Sequence, residues 1–342
     1  MTRFVITGTG SSVPPRRVSN AALSEKMDTS DEWIRSHTGI AARHMADESC
    51  ATSDLAVEAA RAALEKASPG APLAEAARAV DVIVVATATP DYQGCPSTAC
   101  LVQHALGAVN AAALDLAAGC TGFVYGLETA AGLLAVGPGR ARALVIGAET
   151  LTRFLDWGDR SVSVLFGDGA GAVVLDKVSA AEDGRAASPR GLLRSLLRAD
   201  GSGAQDLIFR RGGSRAPFRA GETLEKGMHL SMNGRAVYTF AVKALCETIE
   251  ALLAAERLSH ERLAWIVPHQ ANARIVQAAA KRLGIPEEKF FLNIADYANT
   301  SAASIPLALD ELNRSGRLHP GDLILSAGFG AGLTYGGNLI EW

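Results

Sequence analysis

Ala113-Leu-Asp-Leu-Ala-Ala-Gly-Cys120-Thr-Gly-Phe-Val-Tyr-Gly-Leu-Glu-Thr-Ala-Ala-Gly-Leu-Leu134 decides how the chain is read. The first four residues form a short apolar run, the pattern of a buried strand. From about Phe123 to Leu134 an Ala- and Leu-rich stretch predicts a helix. Gly119 and Gly122 bracket a single cysteine between the two. A strand that passes through a Gly-rich corner into a helix is the unit of α/β layering.

Outward from that corner the unit recurs. Val82-Ile-Val-Val-Ala predicts a strand, with a helix from about Ser97 to Leu106 behind it. Ala143-Leu-Val-Ile-Gly and Gly169-Ala-Gly-Ala-Val-Val-Leu predict two more strands. The second half repeats the plan. Trp265-Ile-Val-Pro predicts a strand, Ala271 to Leu283 a helix, and Phe290-Phe-Leu-Asn another strand. A corner follows at Asn299-Thr-Ser, then a helix ending near Leu312, the strand Leu323-Ile-Leu-Ser, and a Gly-rich run to Ile340. The spacings agree: Ile83 to Cys120 is 37 residues and Ile266 to Asn299 is 33, while Cys120 to Leu144 and Asn299 to Leu323 are both 24. These numbers predict a duplicated domain with halves 1–178 and 179–342, a period far longer than a solenoid repeat. Residues 180–227, rich in Gly, Arg, Asp and Ser, fall outside the plan. They predict one strand, Leu192 to Leu197, within long surface loops of the kind that are usually functional or mobile.

Composition bounds the function. The chain has 342 residues, a soft prior of two domains at about 150 residues each. Charged residues are 20% and hydrophobic ones 48%, which excludes disorder as the dominant state. A net charge of −3 and a pI near 6.2 disfavour a basic nucleic-acid binder. Five cysteines (Cys50, Cys95, Cys100, Cys120, Cys246) make an odd count without a CxxC pair. They signal neither a disulfide scaffold nor a zinc site, and suit a reducing cytoplasm. The N-terminus turns Gly-rich too early for a secretory core. The longest stretch without a charged side chain, Tyr92 to Leu114, is broken by Pro96, Gln103, His104 and Asn110, so no membrane span is expected.

Three residues carry candidate chemistry. Cys120 sits at a helix start, where the dipole favours thiolate and glycines admit a substrate; a small buried core cysteine is the alternative. His269 ends a strand in Pro268-His-Gln-Ala-Asn, at the sheet edge where α/β folds place ligands; a satisfied, partly buried histidine is the alternative. Asn299 occupies the position of Cys120 in the second half; a plain helix cap is the alternative. Together they stand at corresponding strand ends of two halves that can face one another.

The stretches Asp28-Thr-Ser-Asp-Glu-Trp-Ile, Thr38-Gly-Ile, Ala118-Gly-Cys-Thr-Gly, Phe166-Gly-Asp-Gly-Ala-Gly-Ala, Pro268-His-Gln-Ala-Asn and Asn299-Thr-Ser-Ala-Ala-Ser resemble the β-ketoacyl-acyl-carrier-protein synthase III family of the thiolase superfamily. They run from Asp28 to Ser304 in family order. The resemblance implies a five-layered αβαβα thiolase-like fold and a homodimer. It implies a Cys120–His269–Asn299 triad and oxyanion donors at the backbone N–H of Cys120 and Ala331, with Ala where Gly is common. The implied reaction condenses an acyl-CoA with malonyl-acyl carrier protein through an acyl-cysteine, opening fatty-acid synthesis, with no metal and no permanently bound cofactor. CoA contacts would come from Thr29, Trp33, Arg160, Gly234 and Asn272. Carrier docking would come from Arg274, Lys281 and Arg282, and the acyl pocket from Cys95 and Phe329. His37, Thr239 and Cys95 depart from the common Arg, Lys and Phe, and the small Cys95 predicts room for longer or branched starters. A starter-unit synthase or acyltransferase of a polyketide or other secondary pathway, and a noncatalytic partner subunit, are the rival readings.

Overall fold

The computed structural model describes residues 2–179, 191–219, 221 and 228–342. The first sheet contains β1 (Thr2–Ser12), β2 (Val82–Ala86), β3 (Ala112–Leu116), β4 (Arg142–Glu149) and β5 (Gly169–Ser179), in the order β1-β5-β4-β2-β3. β2 lies parallel to β3 and β4, and β5 antiparallel to β4 and β1. The second sheet contains β6 (Gly191–Ala199), β7 (Leu263–Pro268), β8 (Leu323–Gly330) and β9 (Thr334–Glu341), in the order β7-β8-β9-β6. Its pairings follow the same directions: β7 parallel to β8, and β9 antiparallel to both β8 and β6. Strand for strand, β7, β8, β9 and β6 take the places of β2, β4, β5 and β1.

Three sequence expectations change. The strand expected at Phe290–Asn293 shrinks to a single parallel bridge between Phe290 and Ile266, in the place of β3. The Gln270 side chain accepts from the Asn293 N–H at 3.1 Å and a short helix starts at Ile294, so the chain turns away. The strand expected at Leu192–Leu197 is part of the longer β6, which belongs to the duplicated plan as an edge strand. A second short ribbon pairs Leu207–Phe209 with Leu230–Met232. Residues 180–190, 220 and 222–227 of that Gly- and Arg-rich stretch lie outside the described residues.

Seven helices matter for the site: α1 (Asp31–Thr38), α2 (Thr52–Ala67), α3 (Thr98–Leu106), α4 (Gly122–Val136), α5 (Gly234–Ala255), α6 (Ala273–Leu283) and α7 (Ser304–Arg314). α2 and α3 cover the outer face of the first sheet, and α5 and α6 that of the second. α4 and α7 fill the space between the sheets. The result is the five-layered αβαβα thiolase-like fold. In the central layer Phe123, Val124, Leu127 and Leu134 of α4 and Ile305, Leu309 and Leu312 of α7 are buried. Each such side chain contributes roughly 1.5–3 kcal/mol when fully buried. The starts of α4 and α7, where Cys120 and Asn299 lie, are therefore anchored on the most thoroughly packed helices.

The β1 strand escapes the pattern reading because Gly8 and Gly10 interrupt its apolar run. A Cβ at Gly8 would stand 2.2 Å from the Ala63 carbonyl oxygen, and one at Gly10 2.3 Å from that of Ala59, both on α2. The glycines let helix and sheet touch. The stretch Gly119–Val136 is long and apolar enough to cross a membrane by length and composition alone, a test that a buried core helix also passes. It packs in the central layer instead.

Candidate active site

Cys120 occupies a tight turn, Gly119–Thr121, between β3 and α4. Gly119 adopts φ +52°, a left-handed conformation that glycine enters without steric cost. The loop after β8 presses against this turn. A Cβ on Gly330 would lie 2.7 Å from the Cys120 nitrogen, and one on Gly119 would lie 3.1 Å from the Ala331 nitrogen. The backbone N–H groups of Cys120 and Ala331 lie at the Cys120 sulfur and favour its charged form. Burial pushes the Cys120 thiol up to about 12; a hydrogen bond from Ser301 opposes this and the charge of Glu149 adds to it. Burial thus opposes the thiolate that the helix start favours. Gly330→Ala should displace the Cys120 N–H and slow reaction at the Cys120 sulfur by about 10²-fold, as a misplacement of around an ångström does. Timed iodoacetamide alkylation followed by mass spectrometry checks this.

His269 follows the last residue of β7, its N–H bonded to the Ala327 carbonyl at 2.8 Å. The ring is buried, edge-on to Phe329 at 5.3 Å between centroids. Its Nδ1 lies 2.7 Å from Ser304 Oγ, which also accepts from the Gln270 N–H at 3.3 Å. When the Ser304 hydroxyl donates to Nδ1, the neutral ring carries its proton on Nε2 and presents a donor to the cavity. Burial pushes the ring down to about 3, so it stays neutral.

Asn299 is held by a bridge between the halves: its N–H donates to the Leu165 carbonyl at 2.9 Å, and its carbonyl accepts from Gly167 N–H at 3.0 Å. Its Oδ1 accepts from the Ser301 N–H at 2.8 Å, which fixes the amide and leaves Nδ2 as a donor. That bond closes a local turn; the helical segments that follow are capped at Thr300 and Ala303, so Asn299 is not the plain helix cap that was the alternative. Ala298 and Ser301 on either side both adopt positive φ, at +57° and +50°. Non-glycine residues in this region cost strain and cluster at functional sites.

Cys120, His269, Asn299 and Phe329 line one cavity of about 230 Å³, together with Trp33, His37, Gly234 and Asn272. A second cavity of about 390 Å³ meets it at Cys120 and is lined by Thr87, Ala88, Leu151, Ile208, Leu230, Ser301 and Ala331. Phe166 and Leu207 border both. One sulfur thus stands at the junction of two chambers, the second largely apolar.

The remaining expected residues divide. Phe329 walls the Trp33 chamber and packs on His269, outside the second cavity where an acyl pocket was expected. Cys95 is exposed and lines neither cavity. Arg160 lies over the Trp33 ring at 5.4 Å and hydrogen-bonds to the Asp28 carbonyl. His37 stacks on the Trp33 ring at 4.5 Å. Thr29 lies outside the cavity lining, its hydroxyl buried without a hydrogen-bond partner among the described residues. Arg274, Lys281 and Arg282 are exposed on α6, whose cap is Asn272 at the cavity mouth.

Sequence reasoning missed Ser301, Ser304 and Glu149. Ser301 and Ser304 carried a usable signal, since both stand in the Asn299-Thr-Ser-Ala-Ala-Ser stretch. Glu149, at the end of β4, carried none. The Phe166-Gly-Asp168 stretch is structural: buried Asp168 accepts from Thr152 N–H and Oγ1 at 2.8 and 2.6 Å and from the Ala46 N–H at 2.8 Å.

Comparison with known proteins gives one consistent answer. The family described as 3-Oxoacyl-[acyl-carrier-protein (ACP)] synthase III matches residues 114–201, and its C-terminal counterpart matches 253–342. The chain is 48% identical to a beta-ketoacyl-[acyl-carrier-protein] synthase III of Caldanaerobacter subterraneus over 98% of its own length and 97% of the relative's. The solved synthase III of Thermus thermophilus shares 42% identity at a TM-score of 0.87, covering 99% of each chain. A priming β-ketosynthase from the R1128 polyketide pathway shares 35% identity at a TM-score of 0.86, covering 99% of this chain and 96% of that one.

Proposed function

This chain belongs to the 3-oxoacyl-[acyl-carrier-protein] synthase III family, and from that premise we propose how its site works. It is an acyltransferase that condenses an acyl-CoA with malonyl-acyl carrier protein, losing CO₂ and opening fatty-acid synthesis. The observation that carries the reading is the meeting of two chambers at the Cys120 sulfur, with His269 and Asn299 on the wall of one. The Cys120 sulfur attacks the acyl-CoA thioester, and the N–H groups of Cys120 and Ala331 stabilise the oxyanion. The acyl chain enters the second cavity as CoA leaves through the first. Malonyl-carrier protein then enters past Trp33. Loss of CO₂ puts charge on the thioester oxygen, where His269 Nε2–H and Asn299 Nδ2–H donate. The carbanion attacks the acyl-cysteine and releases 3-oxoacyl-carrier protein. Both donors are neutral, so neither needs a proton to be moved before the enolate forms. A two-step assay with acyl-CoAs of two to ten carbons, following acyl-enzyme mass and then product, tests this. No mass gain on Cys120 would favour a noncatalytic partner subunit instead.

The likeness to the polyketide priming enzyme supports a second reading, a starter-unit synthase of a secondary pathway. The acceptor separates the two: acylation without condensation on malonyl-carrier protein moves the chain to a different acceptor.

CoA binding needs Arg160 to move. A base between Trp33 and Arg160 needs two stacking gaps, about 7 Å in all, against the present 5.4 Å. We place Arg274, Lys281 and Arg282 at the docking face for the acidic carrier protein. Arg274→Glu should raise the KM for malonyl-carrier protein about tenfold, more at low salt, and leave acylation by acyl-CoA unchanged. Steady-state kinetics at two ionic strengths checks this. We also propose a homodimer through the open edge of β3, because an unpaired edge bearing Ala113, Leu114 and Leu116 invites a second copy. Cys95 would then reach the partner's acyl cavity, and its small side chain admits longer or branched starters. Five unpaired thiols among the described residues suit the cytoplasm.

A further inference from the structure

Glu149 is a buried ionisable group beside the nucleophile, and the condensation as described leaves it idle. It ends β4 with no exposed surface and makes no ion pair among the described residues. Its carboxylate accepts from the Ala88 N–H at 3.1 Å, Thr89 Oγ1 at 2.6 Å and Thr87 Oγ1 at 3.3 Å. Thr87 and Ala88 line the acyl cavity together with Cys120 and Ser301. The turn Ser301–Ala303 is wedged against β4: a Cβ on Gly147 would stand 2.1 Å from the Ala302 carbonyl oxygen. Ser301 is held in its strained left-handed conformation with its N–H tied to Asn299. It lines the acyl cavity together with Cys120, and its hydroxyl favours the charged form of both the Cys120 thiol and the Glu149 carboxyl, which places it between the two.

The proton of Cys120 needs an acceptor before sulfur can attack. His269 is a poor one, because burial disfavours the protonated ring. We propose that Ser301 and Glu149 form the path by which the Cys120 thiol loses its proton before acylation and regains it after condensation. Ser301 gives its hydroxyl proton to the Glu149 carboxylate and takes the Cys120 proton, as sulfur bonds to the acyl carbon and the bond to the CoA sulfur breaks. CoA leaves as a thiolate and is protonated from solvent. Condensation then expels Cys120 as a thiolate, and the proton returns from Glu149 through Ser301. One solvent proton is consumed per turnover, which balances the loss of CO₂ from a malonyl carboxylate.

The environment suits a carboxyl that changes state at neutral pH. Burial pushes Glu149 up to about 7, while hydrogen bonds from Thr89, Ser301, Ala88 and Ala302 hold it down. The titratable group facing it is the Cys120 thiol. A neutral carboxyl beside a bound acyl chain avoids burying an uncompensated charge against hydrocarbon.

The proposal rests on the acyl-cysteine reading, so its test includes a reagent that does not. Iodoacetamide alkylation of Cys120 and acylation by acetyl-CoA would each be timed by mass spectrometry from pH 5 to 9. Both wild-type rates should climb with pH as Glu149 ionises and level off above about pH 7. Glu149→Gln should lose that limb and slow both reactions about 10²-fold at pH 7. Ser301→Ala should do the same with the carboxyl still present, and it carries the test if Glu149→Gln does not fold. Retention of the limb near pH 7 in the folded variants overturns the proposal. Alkylation with the expected limb but no acylation of the wild type overturns the acyl-CoA reading and leaves the relay standing.

Discussion

Cys120→Ala should leave no adduct with any acyl-CoA, and 3-oxoacyl product should fall by at least about 10⁴-fold, the scale on which loss of a covalent nucleophile acts. No neighbour can replace the sulfur. Ser301 shares the cavity, but a serine hydroxyl titrates far above neutral pH. Thr121 Oγ1 is bonded to Thr334 at 3.0 Å. The fold should survive, because Ala removes one atom that already borders two cavities and leaves the turn of Gly119 and Gly330 untouched. A stability change within about 1 kcal/mol is expected, read from urea unfolding. Product above one part in a hundred of wild type would mean that the acyl group is held elsewhere.

The sequence made the corners legible and left their supports hidden. Cys120, His269 and Asn299 could be found because each stands where an apolar run ends and a glycine or small-residue run begins. Equal spacing from Cys120 to Leu144 and from Asn299 to Leu323 then put two of them in corresponding places. That correspondence is physical: both residues open helices of the central layer, which is packed from both sides. The supports lie where pattern says nothing. Glu149 closes the run Ala143-Leu-Val-Ile-Gly-Ala-Glu, and only the tertiary approach of Ser301 gives it a role. Gly8 and Gly10 hid β1 because their function is contact with α2 rather than strand formation. Phe290 kept its bridge, but Gln270 captured the backbone that would have extended it. The burial that opposes a thiolate at Cys120 stayed hidden for a related reason. A helix start can be read along the chain, whereas the depth at which the surrounding layers bury it cannot.

Asn299→Asp should split the two half-reactions more cleanly than removal of the side chain. Aspartate keeps the oxygen that accepts from the Ser301 N–H, so the local turn between Ala298 and Ser301 is preserved. The Nδ2 donor is lost, and a second oxygen is placed where the enolate oxygen forms. One missing oxyanion donor costs about 10²–10³-fold, and a like charge at that place adds to the loss. Condensation and CO₂ release should therefore fall by at least about 10³-fold. Acylation should fall much less, because its oxyanion is served by Cys120 and Ala331 N–H rather than by Asn299. Acyl-enzyme should accumulate in the variant and be visible as a stable mass increase, while radiolabelled malonyl-carrier protein releases little CO₂. Equal losses in both half-reactions would place Asn299 in the acylation step and remove it from the enolate's side of the cavity.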